Sequence, residues 1–189
     1  MAGPSGDIDP QVAGRIRLVV LDVDGVLTDG GVYVGALPGQ EAMELKRFDV
    51  QDGLGIKMLR WAGIEVAIVS GRVSEATTWR ARELEIDECH QDPGANKLPI
   101  VQRLLDDRGL GFEEVAMIGD DLADLPVLER VALPVSVSNA VPEVHAVSCW
   151  TTGSPGGRGA VREFARELLT ARGEWDRLVR EYCDARSEA

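Results

Sequence analysis

Residues 18–31 read LVVLDVDGVLTDGG. Four apolar residues run without interruption into Asp22, and the chain breaks at Gly25 just past Asp24. A short apolar run closed by acid and glycine is the pattern of a strand buried on both faces that ends where the backbone turns. Residues two apart share a face in extended chain, so Asp22 and Asp24 project together from the strand's end. Two carboxylates crowded there repel each other at neutral pH unless a cation lies between them or one keeps a proton. An isolated pair of this kind is an ordinary loop starter or helix cap. Its meaning depends on what the rest of the chain brings to it.

Three more runs have the same form: EVAIVS at 65–70, EVAMIG at 114–119 and LPVSVS at 133–138. Between them the apolar spacing is helical over 54–61, 74–84, 97–107 and 124–130. This alternation predicts an α/β fold, a Rossmann-like three-layer sandwich with a mostly parallel sheet. Such sheets place their sites at the carboxyl ends of the strands. After the first strand, residues 30–53 (GGVYVGALPGQEAMELKRFDVQDG) hold two alternating runs around a Gly/Pro break. They predict a β-hairpin over 31–48, too small for a separate cap domain. Residues 1–14 read as a flexible leader and 15–189 as one domain. The Gly-rich TTGSPGGRGAVREF at 151–164 opens a helix, and a last amphipathic stretch runs from 175 to about 185.

The bulk numbers narrow the function. A chain of 189 residues with 44% hydrophobic and 28% charged residues can bury a core without disulfides or structural metal. Its net charge of -12 opposes nucleic acid and anionic membrane surfaces as partners, so an anionic small substrate needs local positive help. Cys89, Cys149 and Cys183 are widely spaced, which points to incidental thiols in a reducing cytoplasm rather than a disulfide or zinc framework. No apolar run approaches the ~20 residues of a membrane span, and the first residues do not form a secretory signal.

Company is what gives the Asp pair its meaning. The second strand ends in Ser70-Gly71-Arg72, a hydroxyl and exposed amides opening a helix, which is an anion-binding corner when more than an N-cap is needed. Lys97 stands at a helix start, where the dipole prefers an acid. The third strand ends in Asp120 and Asp121, with Asp124 one turn further on. Oxygen-rich acidic sites that leave positions for phosphate suit Mg²⁺ rather than Zn²⁺. Each element is weak alone; the four in this chain order, an Asp pair, a hydroxyl, a lysine and a second acid cluster, are jointly specific.

DVDGVLTDG, Ser70-Gly71-Arg72, Lys97 and GDDLADLP resemble the four motifs of the haloacid dehalogenase superfamily. DGGVYV, DVQDGLGIK and GGRGAVRE further resemble capless bacterial phosphatases that act on 3-deoxy-D-manno-octulosonate 8-phosphate in lipopolysaccharide precursor synthesis. The resemblance implies that Asp22 attacks phosphorus and forms an aspartyl-phosphate. It makes Asp24 the acid and base, kept partly protonated by its neighbours, with a backbone carbonyl on the metal. Asp22, Asp24 and Asp120 are then the Mg²⁺ ligands, and Asp121 and Asp124 orient them or Lys97. Ser70, Gly71 and Lys97 grip the phosphoryl oxygens.

For the sugar acid, the resemblance points to Asp49, Gln51, Asp52, Gly53, Lys57, Arg72 and Arg80. The two arginines, eight apart, are expected on one helix face as a carboxylate fork; the alternative for Arg80 is a solvated surface. The family usually reads Asn-Val-Arg-Asp-Gly where this chain has Asp49-Val50-Gln51-Asp52-Gly53, which keeps a nonulosonate 9-phosphate open as substrate. Capless relatives assemble as tetramers, with the hairpin around Tyr33 as a candidate interface and Arg158 reaching a neighbour's site. Two non-enzymatic alternatives, a phospho-receiver domain and a sugar-acid-binding scaffold, fit less well. A receiver ends a later strand in its phosphorylated Asp, where Ser70 stands here, and a scaffold would lack a motif residue.

Overall fold

The computed structural model describes residues 6–36, 38–39 and 43–187. Its centre is a six-stranded sheet in the order β5-β4-β1-β6-β7-β8, parallel throughout. The strands are β1 (Leu18–Leu21), β4 (Glu65–Ser70), β5 (Cys89–Gln91), β6 (Val115–Gly119), β7 (Leu133–Ser136) and β8 (Trp150–Thr151). The four apolar runs are the four central strands. β5 and β8, three and two residues long, are too short to show a period.

Alternation along the strands divides the core in two. Val19, Leu21, Val66, Ile68, Ala116 and Ile118 pack with α1 (Pro10–Arg15), α2 (Val50–Trp61), α3 (Glu75–Glu83), α7 (Ala160–Ala171) and α8 (Trp175–Ser187). Leu18, Val20, Ala67, Val69, Val115 and Met117 pack with α4 (Lys97–Arg108), α5 (Leu125–Leu128) and α6 (Pro142–Val147). These are the three layers. α2 and α7 approach so closely that a Cβ on Gly55 would lie 2.8 Å from Arg162 Cα, which accounts for a glycine in a helix interior that otherwise disfavours it.

The excursion is a hairpin as expected: β2 (Tyr33–Gly35) pairs antiparallel with β3 (Met43–Leu45), and Thr28 bridges Phe48 at its base. Part of its tip, residues 37 and 40–42, lies outside the described residues.

The flexible-leader reading of 1–14 needs correction. Residues 1–5 lie outside the described residues, but Asp9 accepts from Gln11 N at 2.7 Å and caps α1, with Pro10 in its first turn. Ile8 and Ala13 are buried, and Arg172 donates to the carbonyls of Ala13 and Ile16. An Asp-Pro pair is a helix-start signal; one turn and a half is too little for periodicity to reveal.

Candidate active site

The parallel register sets Leu21 beside Ile68 on one neighbour and Ile118 on the other. Asp22, Ser70 and Asp120 therefore emerge together at the carboxyl edge of the sheet. Asp22 is nearly buried, and its backbone N–H donates to Ile118 O. The chain then loops tightly through Val23–Leu27, closed by Thr28 N on Val23 O at 3.0 Å. Gly25 has φ +98°, and a Cβ there would lie 2.0 Å from Asp120 Oδ2. Only glycine permits both the turn and the approach of that carboxylate.

Lys97, 4% exposed, joins the pieces: its Nζ donates to Asp22 Oδ1 at 2.5 Å and to Asp124 Oδ1 at 2.6 Å. The other oxygen of Asp124 accepts from Asp120 N at 3.0 Å and Asp121 N at 3.4 Å. Gly119 leaves the room for it, since a Cβ would sit 2.7 Å from that carboxylate. Asp124 is thus fully engaged in holding Lys97 and the 119–121 turn. Lysine at the helix start is explained by these two acids.

Asp22, Asp120 and Asp124 each offer an oxygen, all within 4.8 Å of one another, against one lysine. Burial, then the charge of Asp124, pushes Asp22 up to about 6 despite Lys97. Burial, then the charges of Asp22 and Asp124, pushes Asp120 up to about 8. For Lys97 burial works against the charge, but Asp22 and Asp124 outweigh it and hold the ammonium above the usual lysine range. Asp120 Oδ1 is buried with no hydrogen-bond partner among the described residues. A buried acid excess with an orphaned carboxylate oxygen is what a hard divalent cation relieves, so the residues present fit Mg²⁺.

Ser70 is buried at the end of β4; its Oγ accepts from Arg72 N at 3.2 Å. Gly71 packs on the approach to Lys97, its Cβ position lying 3.0 Å from Ala95 Cβ. Asp24 Oδ1 accepts from Lys46 Nζ, while Asp24 Oδ2 is buried and unpartnered among the described residues. Lys46 was not singled out from sequence. The charged group that meets Asp24 is thus an ammonium. Lys46 directly follows β3, with Glu44 3.7 Å away, and nothing local in the sequence names Asp24 as its partner. Asn139, also missed, pins the loop by donating to Gly25 O and accepting from Gly156 N. Gly156 and Gly157 press against 25–29 so closely that a Cβ on Gly156 would overlap Gly25 O.

Several expected sugar contacts are engaged elsewhere. Asp52 is buried and caps α7, accepting from Arg162 N at 2.8 Å and Gly159 N at 3.3 Å. Asp49 caps α2 through Gln51 N. Arg80 donates to Asp49 O and Glu83, both at 2.8 Å, and Gly53 leaves space for its guanidinium. Arg72 pairs with Glu44 at 2.6 Å and precedes α3, so the two arginines do not share a helical face. Asp121 is exposed and caps Leu122 N, which leaves its backbone N–H as its tie to Asp124. Gln51 is exposed beside Gly159, Arg158 is exposed next to it, and Lys57 lines a cavity with Trp61, Tyr182 and Arg186.

A family model described as haloacid dehalogenase-like hydrolase matches residues 90–164. The 3-deoxy-D-manno-octulosonate 8-phosphate phosphatase of Salmonella typhimurium is 42% identical over 174 residues, 90% of either chain. The crystal structure of the corresponding phosphatase from Moraxella catarrhalis, in complex with magnesium, phosphate and KDO, superposes with a TM-score of 0.85 at 37% identity, covering 92% of this chain and 97% of that one. A cobalt-bound phosphatase from Haemophilus influenzae gives 0.79 at 36% identity, covering 87% and 94%. With the expected motifs assembled at one sheet edge and likeness over nearly its whole length, the chain belongs to the 3-deoxy-D-manno-octulosonate 8-phosphate phosphatase family of haloacid dehalogenase-like hydrolases.

Proposed function

We propose that this protein is a Mg²⁺-dependent phosphatase that hydrolyses 3-deoxy-D-manno-octulosonate 8-phosphate through an aspartyl-phosphate on Asp22. The observation that carries the reading is the Asp22–Lys97–Asp124 chain beside Asp120, a held carboxylate inside a local excess of negative charge. Asp22 and Asp120, with the Asp24 backbone carbonyl, are the residues that would hold Mg²⁺. When bound, the ion offsets the repulsion between a carboxylate nucleophile and a phosphate dianion.

Lys97 orients Asp22, and Asp124 fixes Lys97. An Asp22 oxygen bonds to phosphorus as the bond to the sugar oxygen breaks, and Asp24 gives that oxygen a proton. Asp24 then takes a proton from a water, which attacks phosphorus and frees the Asp22 carboxylate. The Ser70 hydroxyl accepts from Arg72 N, so its own hydrogen remains to donate to a phosphoryl oxygen. An acid-base group next to the nucleophile supports turnover rather than storage of the phosphoryl group.

The open edge also supports self-association into a homotetramer. Val32, Tyr33, Val34, Met43 and Leu45 on the hairpin are all about half exposed or more, Val34 at 66%, a cluster of apolar side chains of the kind that marks an interface. Sedimentation velocity is expected to give four chains per particle; a monomer would remove this part of the reading. Among the described residues no helix is long and apolar enough to cross a membrane, which fits action on a cytoplasmic sugar phosphate.

The test of the substrate is kcat/KM with added Mg²⁺ for the octulosonate 8-phosphate, nonulosonate 9-phosphates and hexose phosphates. We expect the octulosonate compound to lead by at least about tenfold, the discrimination a few pocket contacts supply. A nonulosonate in the lead would make exposed Gln51 and its neighbours the specificity determinant, and no hydrolysis at all would reject the function.

A further inference from the structure

We infer that Lys46 is a positioning residue for Asp24, and that by occupying Oδ1 it confines the transferable proton to Oδ2. The inference rests on the role proposed above for Asp24 and names the device that makes it work.

Lys46 directly follows β3 of the hairpin and reaches Asp24, 22 residues earlier in the chain. Its side chain is 1% exposed, so this is a committed contact and not a solvated lysine. Burial of an ammonium is unfavourable without partners, and two are supplied: Asp24 Oδ1 and, at 3.7 Å, Glu44 Oε1. Glu44 is itself held from the other side by Arg72, 2.6 Å from Oε2. Arg72 stands directly after the Ser70 corner, to which its backbone N–H is bonded. A chain of alternating charge, Arg72–Glu44–Lys46–Asp24, therefore runs from the end of β4 through the hairpin to the end of β1.

The consequence follows from donor chemistry. An ammonium has three N–H donors and no acceptor, so the oxygen facing Lys46 must accept in either protonation state of Asp24. A proton on Oδ1 would point at an N–H. Oδ2 has no partner among the described residues, and it is the oxygen left to give a proton to the leaving group and to take one from water. The same contact restricts rotation of the carboxyl group, which otherwise sits on a loop rather than a strand.

The readout is the ratio of two rates measured on one preparation. The octulosonate phosphate has an alkoxide leaving group that needs a proton; p-nitrophenyl phosphate leaves as a stabilised phenolate that needs little help. At saturating Mg²⁺, Lys46→Met is expected to slow the sugar phosphate by about 10²-fold, the order that a misplaced catalytic group costs, and the aryl phosphate by a much smaller factor. Lys46→Arg, which keeps a donor without an acceptor, should recover most of the ratio. Because both substrates report on the same active sites, the ratio survives partial loss of folded enzyme. Asp24→Asn is the reference: it should change the ratio in the same direction, and adding Lys46→Met to it should change the ratio no further. If Asp24→Asn shifts the ratio and Lys46→Met slows both substrates equally, the positioning role is overturned while the role of Asp24 stands. If Asp24→Asn leaves the ratio untouched, the assignment of Asp24 fails and this inference with it.

Discussion

Asp22→Asn is expected to lower phosphate release by at least about 10⁴-fold, the scale on which loss of a catalytic nucleophile is felt, while the chain remains folded. The amide keeps an oxygen to accept from Lys97 and nearly the same volume in a buried position, so packing is spared. What disappears is the charge that attacks phosphorus. The same change removes one of three mutually repelling carboxylates, so in metal-free buffer the melting temperature of the variant should equal or exceed that of the parent. Activity and stability then move in opposite directions, which separates a lost nucleophile from a damaged fold. A variant with more than about a hundredth of the parent rate would remove Asp22 from the mechanism, since even a general acid-base group contributes about 10²-fold or more.

Removal of the metal should have the second largest effect. Chelation is expected to abolish turnover and added Mg²⁺ to restore it, because the acids that would hold the ion are also those that repel a phosphate dianion. Stability gives an independent reading. The folded-state values of Asp22, about 6, and Asp120, about 8, lie above the ordinary 3.8, so between those limits the folded chain binds more protons than the unfolded one. Stability of the metal-free protein should therefore fall as pH rises from about 4 through about 8 and then level off. Mg²⁺ should reverse the loss at the upper end. A site filled at a hundred times its Kd adds about 2.7 kcal/mol, or about 5–10 °C for a chain of this size. Full activity in the presence of chelator, or a melting temperature indifferent to Mg²⁺ at pH 8, would contradict the cation's role.

The parts of this account that were legible in sequence are those set by the central strands. Each of the four apolar runs is long enough to declare itself buried, and the first three end in the residues that matter, so the sequence alone puts Asp22, Ser70 and Asp120 at one edge. Lys97 and Asp124 joined them because a helix start and a one-turn spacing fix direction. The residues expected to contact the sugar were less legible for a physical reason: most lie in helix starts and loops, where a polar side chain has backbone groups to satisfy before it can serve a ligand, and even Arg80, inside α3, is taken up by a carbonyl. Asp52 turned inward to the start of α7 and Arg80 to the Asp49 carbonyl, and no local pattern announces either partner. Lys46 was missed for the complementary reason. Its partner Asp24 is set by how the hairpin folds back, and a lone lysine among MELKRF looks like surface. The leader was misread because one short helix, capped by Asp9 and buried through Ile8 and Ala13, carries too few residues for a pattern.

The most direct test of the central claim is to trap the covalent intermediate. Enzyme with Mg²⁺ is mixed with 3-deoxy-D-manno-octulosonate 8-phosphate carrying labelled phosphorus, quenched in acid during turnover, digested and mapped by mass spectrometry. The account predicts label on the peptide that carries Asp22, absent from the Asp22→Asn protein. Steady release of phosphate with no labelled peptide, or label on a residue other than Asp22, would contradict it.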